Sequence, residues 1–172
     1  LENDKYDAAF SRFGVMFFDE PKTAFLNIFN ALKPASALSF VCWQSPKVNP
    51  WHGVASQVLK QYLDLPLPDK KAPSPFAFQE PDYIDDILIS AGFNNIMIEP
   101  LMMNILWFAN QDLDEAVFNF MALNPVIAES MKTVEPEVRI TITNALIEAF
   151  KPFMTDTCLL FDSATWIVSA KK

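Results

Sequence analysis

A single histidine, His52, occurs in this chain, directly after Asn49-Pro50-Trp51. An imidazole titrates near neutrality, so His52 is the candidate catalytic base for taking a proton from an acceptor hydroxyl. Such a residue more often caps a helix start or faces water, and both roles stay open on the sequence. Carboxylates gather twice, at Asp82/Asp85/Asp86 and at Asp112/Asp114/Glu115. Each trio resembles a cation site at first sight, yet each falls in the solvated first turns of an expected helix, where acids complement the dipole. No metal is therefore expected. Cys42 and Cys158 each lie inside an apolar strand-like run without metal-ligand spacing, which fits buried thiols in a reducing cytosol. With only Gly14, Gly53 and Gly92 in the chain, no glycine-rich nucleotide or phosphate loop can be built.

The elements that must position these groups have a globular composition to draw on. At 172 residues, 51% apolar and 13% aromatic, the chain is large and greasy enough to bury one sizeable core. A net charge of −8 offers no basic stripe to a phosphate backbone, so nucleic acid is not an expected partner and a polyanionic substrate is disfavoured. Asp19, Lys33, Lys47 and similar residues interrupt every apolar run before the roughly 18 residues a membrane span needs. A cytoplasmic protein off the membrane is the expectation. The chain opens on Leu1 rather than Met and lacks a secretory leader pattern, which suggests that something upstream has been removed.

Strand and helix signals alternate along the chain, the pattern of α/β folds with a mostly parallel sheet. A first strand is read at about residues 8–13 of the run Tyr6-Asp7-Ala8-Ala9-Phe10-Ser11-Arg12-Phe13. Glu20-Pro21 then starts a helix with an apolar stripe through Phe25, Ile28, Phe29 and Leu32, and Lys33-Pro34 stops it. Residues 37–43 form a continuous apolar strand expected to be central and buried on both faces. Residues 51–63 have helical spacing, and 65–78 make a proline-rich loop containing Pro66, Pro68, Pro73 and Pro75. A helix over 80–91 should end on a left-handed Gly92, a strand should follow at 95–104, and Asp112 should cap the first of two or three helices filling 112–153. A last strand is read at about 165–170, with a start as early as Cys158 in view.

The segments Ser11-Arg12-Phe13-Gly14-Val15-Met16-Phe17-Phe18, Phe40-Val41-Cys42-Trp43 and Asn49-Pro50-Trp51, together with the Leu32-Lys33-Pro34 turn, resemble class I S-adenosylmethionine (SAM)-dependent methyltransferases. In that family the turn reads Leu-Lys-Pro-Gly-Gly; here Ala35-Ser36 replaces the glycines. The resemblance spans nearly the whole chain and implies a Rossmann-like α/β sheet of order 3-2-1-4-5-7-6, with strands six and seven antiparallel. This chain matches only its carboxyl-terminal half: strand four at Tyr6–Phe13, helix D at 20–33, strand five at Ala37–Trp43, helix E at 80–91, and strands six and seven near 95–104 and 165–170. The expected fold is one partial domain, 1–172, with strands in the order 4-5-7-6 and a helical cover at about 112–153 inserted between strands six and seven.

By the same resemblance, the glycine-rich turn and the acidic residue that hold most of SAM belong to strands this chain lacks. What is left of a cofactor site is expected at Ser11, Arg12 and Phe13. Met16, Phe17, Trp43 and Trp51 are candidates for lining an apolar acceptor pocket, although Met and aromatic stripes at helical spacing are more often core than pocket. The implied function is SAM-dependent methyl transfer to a small, rather apolar molecule, with the chain alone expected to be inactive. The alternative is a non-catalytic ligand-binding or dimerisation module that keeps only the substrate-side half. An open strand edge at Tyr6–Phe13 further suggests a homodimer, or a covering amino-terminal segment.

Overall fold

The elements run β1 (Tyr6–Arg12), α1 (Pro21–Ala31), β2 (Leu32–Trp43), α2 (Pro50–Leu59), α3 (Pro81–Ala91), β3 (Asn94–Trp107), α4 (Leu113–Leu123), α5 (Pro125–Thr133), α6 (Pro136–Phe150) and β4 (Leu159–Lys171). The computed structural model describes residues 2–64 and 72–172, without the side chains of Pro125 and Val126. Proline opens α1, α2, α3 and α6, where its missing N–H costs no helical bond. Asp112 caps α4 as expected: its Oδ1 accepts from Glu115 N at 2.9 Å. Gly92 ends α3 with φ at 101°, a left-handed backbone that any Cβ would strain, and Phe93 N reaches back to Leu88 O at 3.1 Å.

The four strands form one sheet in the order β1-β2-β4-β3, the order expected for strands four, five, seven and six. β1 runs parallel to β2, pairing Ala9 with Leu38 and Ser11 with Phe40. β4 runs antiparallel to β2, pairing Leu38 with Ala170 and Phe40 with Val168. Ser163 Oγ donates to Met103 O at 2.8 Å and Thr165 Oγ1 to Leu101 O at 3.2 Å. Partner numbers fall in β3 as they rise in β4, so this last pair is antiparallel.

Three boundaries differ from those the sequence suggests. Extended backbone begins at Leu32, so Lys33-Pro34 lies inside β2 instead of closing α1, and Ala35 there takes a left-handed φ of 65°. α2 ends at Leu59 rather than near Leu63. β3 continues past Asn104 to Trp107. Of the proline-rich loop, Pro66 and Pro68 lie outside the described residues, while Phe76, Ala77 and Phe78 are buried. β2 is internal to the sheet yet buried on one face only: Leu38, Phe40 and Cys42 are covered and Ser39 is exposed, where burial on both faces was expected.

The described chain divides into two compact units, Leu1–Pro46, Pro68–Met102 and Ala164–Lys172 in the first, Lys47–Leu67 and Met103–Ser163 in the second. In the first, α1 and α3 bring Phe25, Ile84, Ile87 and Leu88 onto Leu38, Phe40 and Val168. Each such side chain contributes roughly 1.5–3 kcal/mol by leaving water. The opposite sheet face carries Phe10, which is 90% exposed. Lys172 Nζ ties this unit's ends together, donating to Asp4 Oδ1 at 2.8 Å and Leu32 O at 2.7 Å. In the second unit, α6 packs against both α2 and α4, and Phe150 meets Phe120 and Phe161 edge-on at 5.0 and 5.6 Å. Among the described residues no helix is long and apolar enough to cross a membrane.

Candidate functional site

Because β1 and β2 are parallel, their carboxyl ends reach the same edge of the sheet, and Arg12 pairs with Val41 there. One residue on, Phe13 N donates to Val41 O at 3.0 Å, and the backbone turns left-handed at φ 55°. That conformation costs an L-residue roughly 1–2 kcal/mol. The Phe13 ring stacks on Trp43 at 4.3 Å with the planes 16° apart, a contact worth about 0.5–1.5 kcal/mol that helps offset the strain. Ser11 Oγ accepts from Gly14 N at 3.3 Å, so the chain folds back over the strand end. A Cβ on Gly14 would stand 3.0 Å from that oxygen.

Within this turn Ser11 is partly buried and Arg12 exposed, with no ion pair to Arg12 among the described residues. Met16 is 1% exposed and belongs to the core of its unit, whereas Phe17 is 52% exposed at the surface. Next to Trp43, burial pushes the Cys42 thiol up to about 12, so it stays protonated and inert. Both cysteines are free and buried.

Trp51 and His52 belong to the second unit, at the start of α2. The fully buried Asn49 organises that start. Its Oδ1 accepts from Trp51 Nε1 at 3.2 Å, and its carbonyl accepts from His52 N at 3.0 Å and Gly53 N at 3.2 Å. His52 meets the Trp51 ring edge-on at 5.8 Å, and its Nδ1 stands 3.4 Å from Ser56 Oγ, one turn later. Burial pushes the imidazole below its ordinary value, and the Lys60 ammonium adds in the same direction. Both effects favour the neutral form of His52.

Ser11, Arg12, Phe13, Met16, Phe17 and Trp43 all fall in the first unit, the first three with Trp43 at one strand end. Trp107 did not stand out in the sequence, because the strand was expected to stop at Asn104. It lies 5.2 Å from Trp51 and 6.0 Å from Phe120, extending the aromatic wall of the second unit. The Trp107-Phe108 pair was the available signal. Among the described residues no three His, Cys, Asp or Glu side chains gather as a cation site.

No family model matches the chain, and no curated protein sequence does. Solved structures do. The whole chain superposes on 66% of a candidate methyltransferase from Bacillus halodurans, at 15% identity and a TM-score of 0.52. It also superposes on 66% of the YcgJ protein from Bacillus subtilis, at 11% identity and a TM-score of 0.51. A phosphoethanolamine N-methyltransferase of Haemonchus contortus, bound to S-adenosylhomocysteine, is more distant, with a TM-score of 0.45 over 34% of its length. The fold is that of the class I SAM-dependent methyltransferases, and the chain spans about two-thirds of the nearer structures it matches.

Proposed function

We propose that this chain is the acceptor-side portion of an enzyme that transfers a methyl group from SAM to a small, rather apolar molecule. The observation that carries the reading is the sheet order β1-β2-β4-β3, which sets Ser11, Arg12, Phe13 and Trp43 at the carboxyl ends of two parallel strands. Open α/β sheets bind their ligands at such ends. The residues present fit one end of SAM. The exposed Arg12 guanidinium suits a carboxylate, and Ser11 Oγ keeps its proton to donate while accepting from Gly14. The remaining contacts, which a glycine-rich turn supplies in this fold, are assigned to residues outside the chain.

SAM, when bound, supplies an electrophilic methyl group, and its in-line transfer asks mainly for alignment. Phe13 and Trp43 offer a flat apolar wall within the first unit; in the second unit, His52 is the candidate base. β1, an edge strand, is assigned to pairing with a second copy or with a preceding segment of the polypeptide.

Calorimetric titration of SAM tests this placement. The chain as given is expected to bind SAM more weakly than about 1 mM. The full reading-frame product should bind it well, and Arg12→Ala should weaken that binding about tenfold. Tight one-to-one binding by the chain alone would place the cofactor elsewhere, and no binding by the full product would favour a non-catalytic module.

A further inference from the structure

Helical hydroxyls in this chain commonly donate back to a carbonyl of their own helix: Ser90 to Ile87 O and Thr133 to Ser130 O at 2.8 Å, Thr141 to Glu137 O and Thr143 to Arg139 O at 2.9 Å. That is a usual outlet for such a proton. Ser56 of α2 departs from the pattern. Among the described residues it makes no such bond, and its Oγ stands instead 3.4 Å from Nδ1 of His52, one helical turn earlier. The distance is long for a settled hydrogen bond and within the slack that proton-transfer pairs show before substrate tightens them. The imidazole also meets Trp51 edge-on at 5.8 Å, and the indole is itself held by the buried Asn49.

We propose that Ser56 is the proton port of His52: its hydroxyl donates to Nδ1, and an acceptor's proton reaches the imidazole through that hydroxyl. Lone pairs decide the direction. A half-buried hydroxyl that bonds no carbonyl places its proton on the acceptor atom beside it, here Nδ1. Burial and Lys60 favour the neutral imidazole, which has one lone-pair nitrogen and carries its hydrogen on the other. With Nδ1 accepting from Ser56, Nε2 holds the hydrogen, and a further proton enters by way of Ser56. Taking His52 as the base rests on the methyl-transfer reading; the tautomer does not. In that transfer the acceptor oxygen bonds the methyl carbon while sulfur keeps the electron pair of the bond that breaks. The acceptor's proton passes to Ser56 Oγ as the Ser56 proton passes to Nδ1, so the hydroxyl is restored and the positive charge ends on the imidazolium.

His52 is the only histidine, so ¹⁵N-histidine labelling yields a single imidazole, whose long-range proton–nitrogen spectrum separates a nitrogen carrying hydrogen from one bearing a lone pair. At about pH 8, above the ordinary histidine value, Nδ1 should show the lone-pair signal and Nε2 the hydrogen. Ser56→Ala should draw the two signals together toward a mixture of tautomers. Ser56→Thr, which keeps a hydroxyl, should restore the parent separation. Alanine is the better helix former, and melting curves of both variants check that α2 stays folded. A parent ring protonated at Nδ1 overturns the proposal, since Ser56 would then only accept and Nε2 would hold the lone pair. An unchanged spectrum in Ser56→Ala overturns it too, as does a folded Ser56→Thr that behaves like Ser56→Ala. The spectra are taken without SAM, so their failure removes the role of Ser56 and leaves the cofactor titration untouched.

Discussion

His52 is the residue whose surroundings make the sharpest quantitative demand. Burial and Lys60 both disfavour its charged form, so the folded protein binds this proton less readily than the unfolded chain does. The sign follows: the stabilising contribution is complete above the unfolded value of about 6.5 and is lost as pH falls below it toward the lower folded value. Unfolding the protein and His52→Gln in urea between pH 5 and 7.5 should therefore show the parent losing more stability on acidification than the variant. Parallel curves would remove the burial argument and, with it, the picture of a neutral base. Residue types were legible here and their environments were not. The sequence marks Met16 and Phe17 as equal candidates for a pocket, yet one is core and the other is surface. Nothing local in Ser11-Arg12-Phe13 announces a left-handed phenylalanine, because the turn depends on a bond to β2 and a ring partner thirty positions away.

At the scale of elements, the handover from α1 to β2 carries a local conflict. Ala35 adopts φ 65° where the resembling family places glycine. Ala35→Gly should release about 1 kcal/mol of strain, an upward shift in the melting temperature of roughly 2–4 °C. An unchanged or lower melting temperature would show that the neighbouring bonds, Ala35 N to Lys172 O and Lys172 N to Ser36 O, already relax the turn. The order of elements was legible because proline starts, the Asp112 cap and the Gly92 stop are chemical signals carried by single residues. Ends set by a distant partner were not legible. β3 runs on to Trp107 because β4 lies beside it, and Lys33-Pro34 enters a strand because β2 pairs Leu32 with Tyr6 of β1. The one-sided burial of β2 was missed for a related reason: an apolar run reads as doubly covered, while coverage depends on which helices lie on each face.

For the whole molecule, the open β1 edge is the feature with consequences in solution. Phe10 is 90% exposed on a strand whose outer backbone groups have no neighbouring strand among the described residues. Proteins usually cover or pair such an edge. Light scattering of this 19.5 kDa chain should report about twice that mass, and Phe10→Lys should return the monomer, since a charge on an edge strand opposes pairing. A monodisperse monomer for the parent chain would count against edge pairing.

The four indoles are shared evenly, Trp43 and Trp166 in the first unit, Trp51 and Trp107 in the second. Trp166 donates its Nε1–H to Gln79 O at 3.0 Å and Trp51 to Asn49 Oδ1 at 3.2 Å, so each unit holds at least one indole whose emission depends on a specific folded contact. Intrinsic fluorescence is thereby a built-in, two-channel reporter. Replacing one pair with phenylalanine leaves a signal from the other unit alone, and denaturation can be followed unit by unit with no added dye.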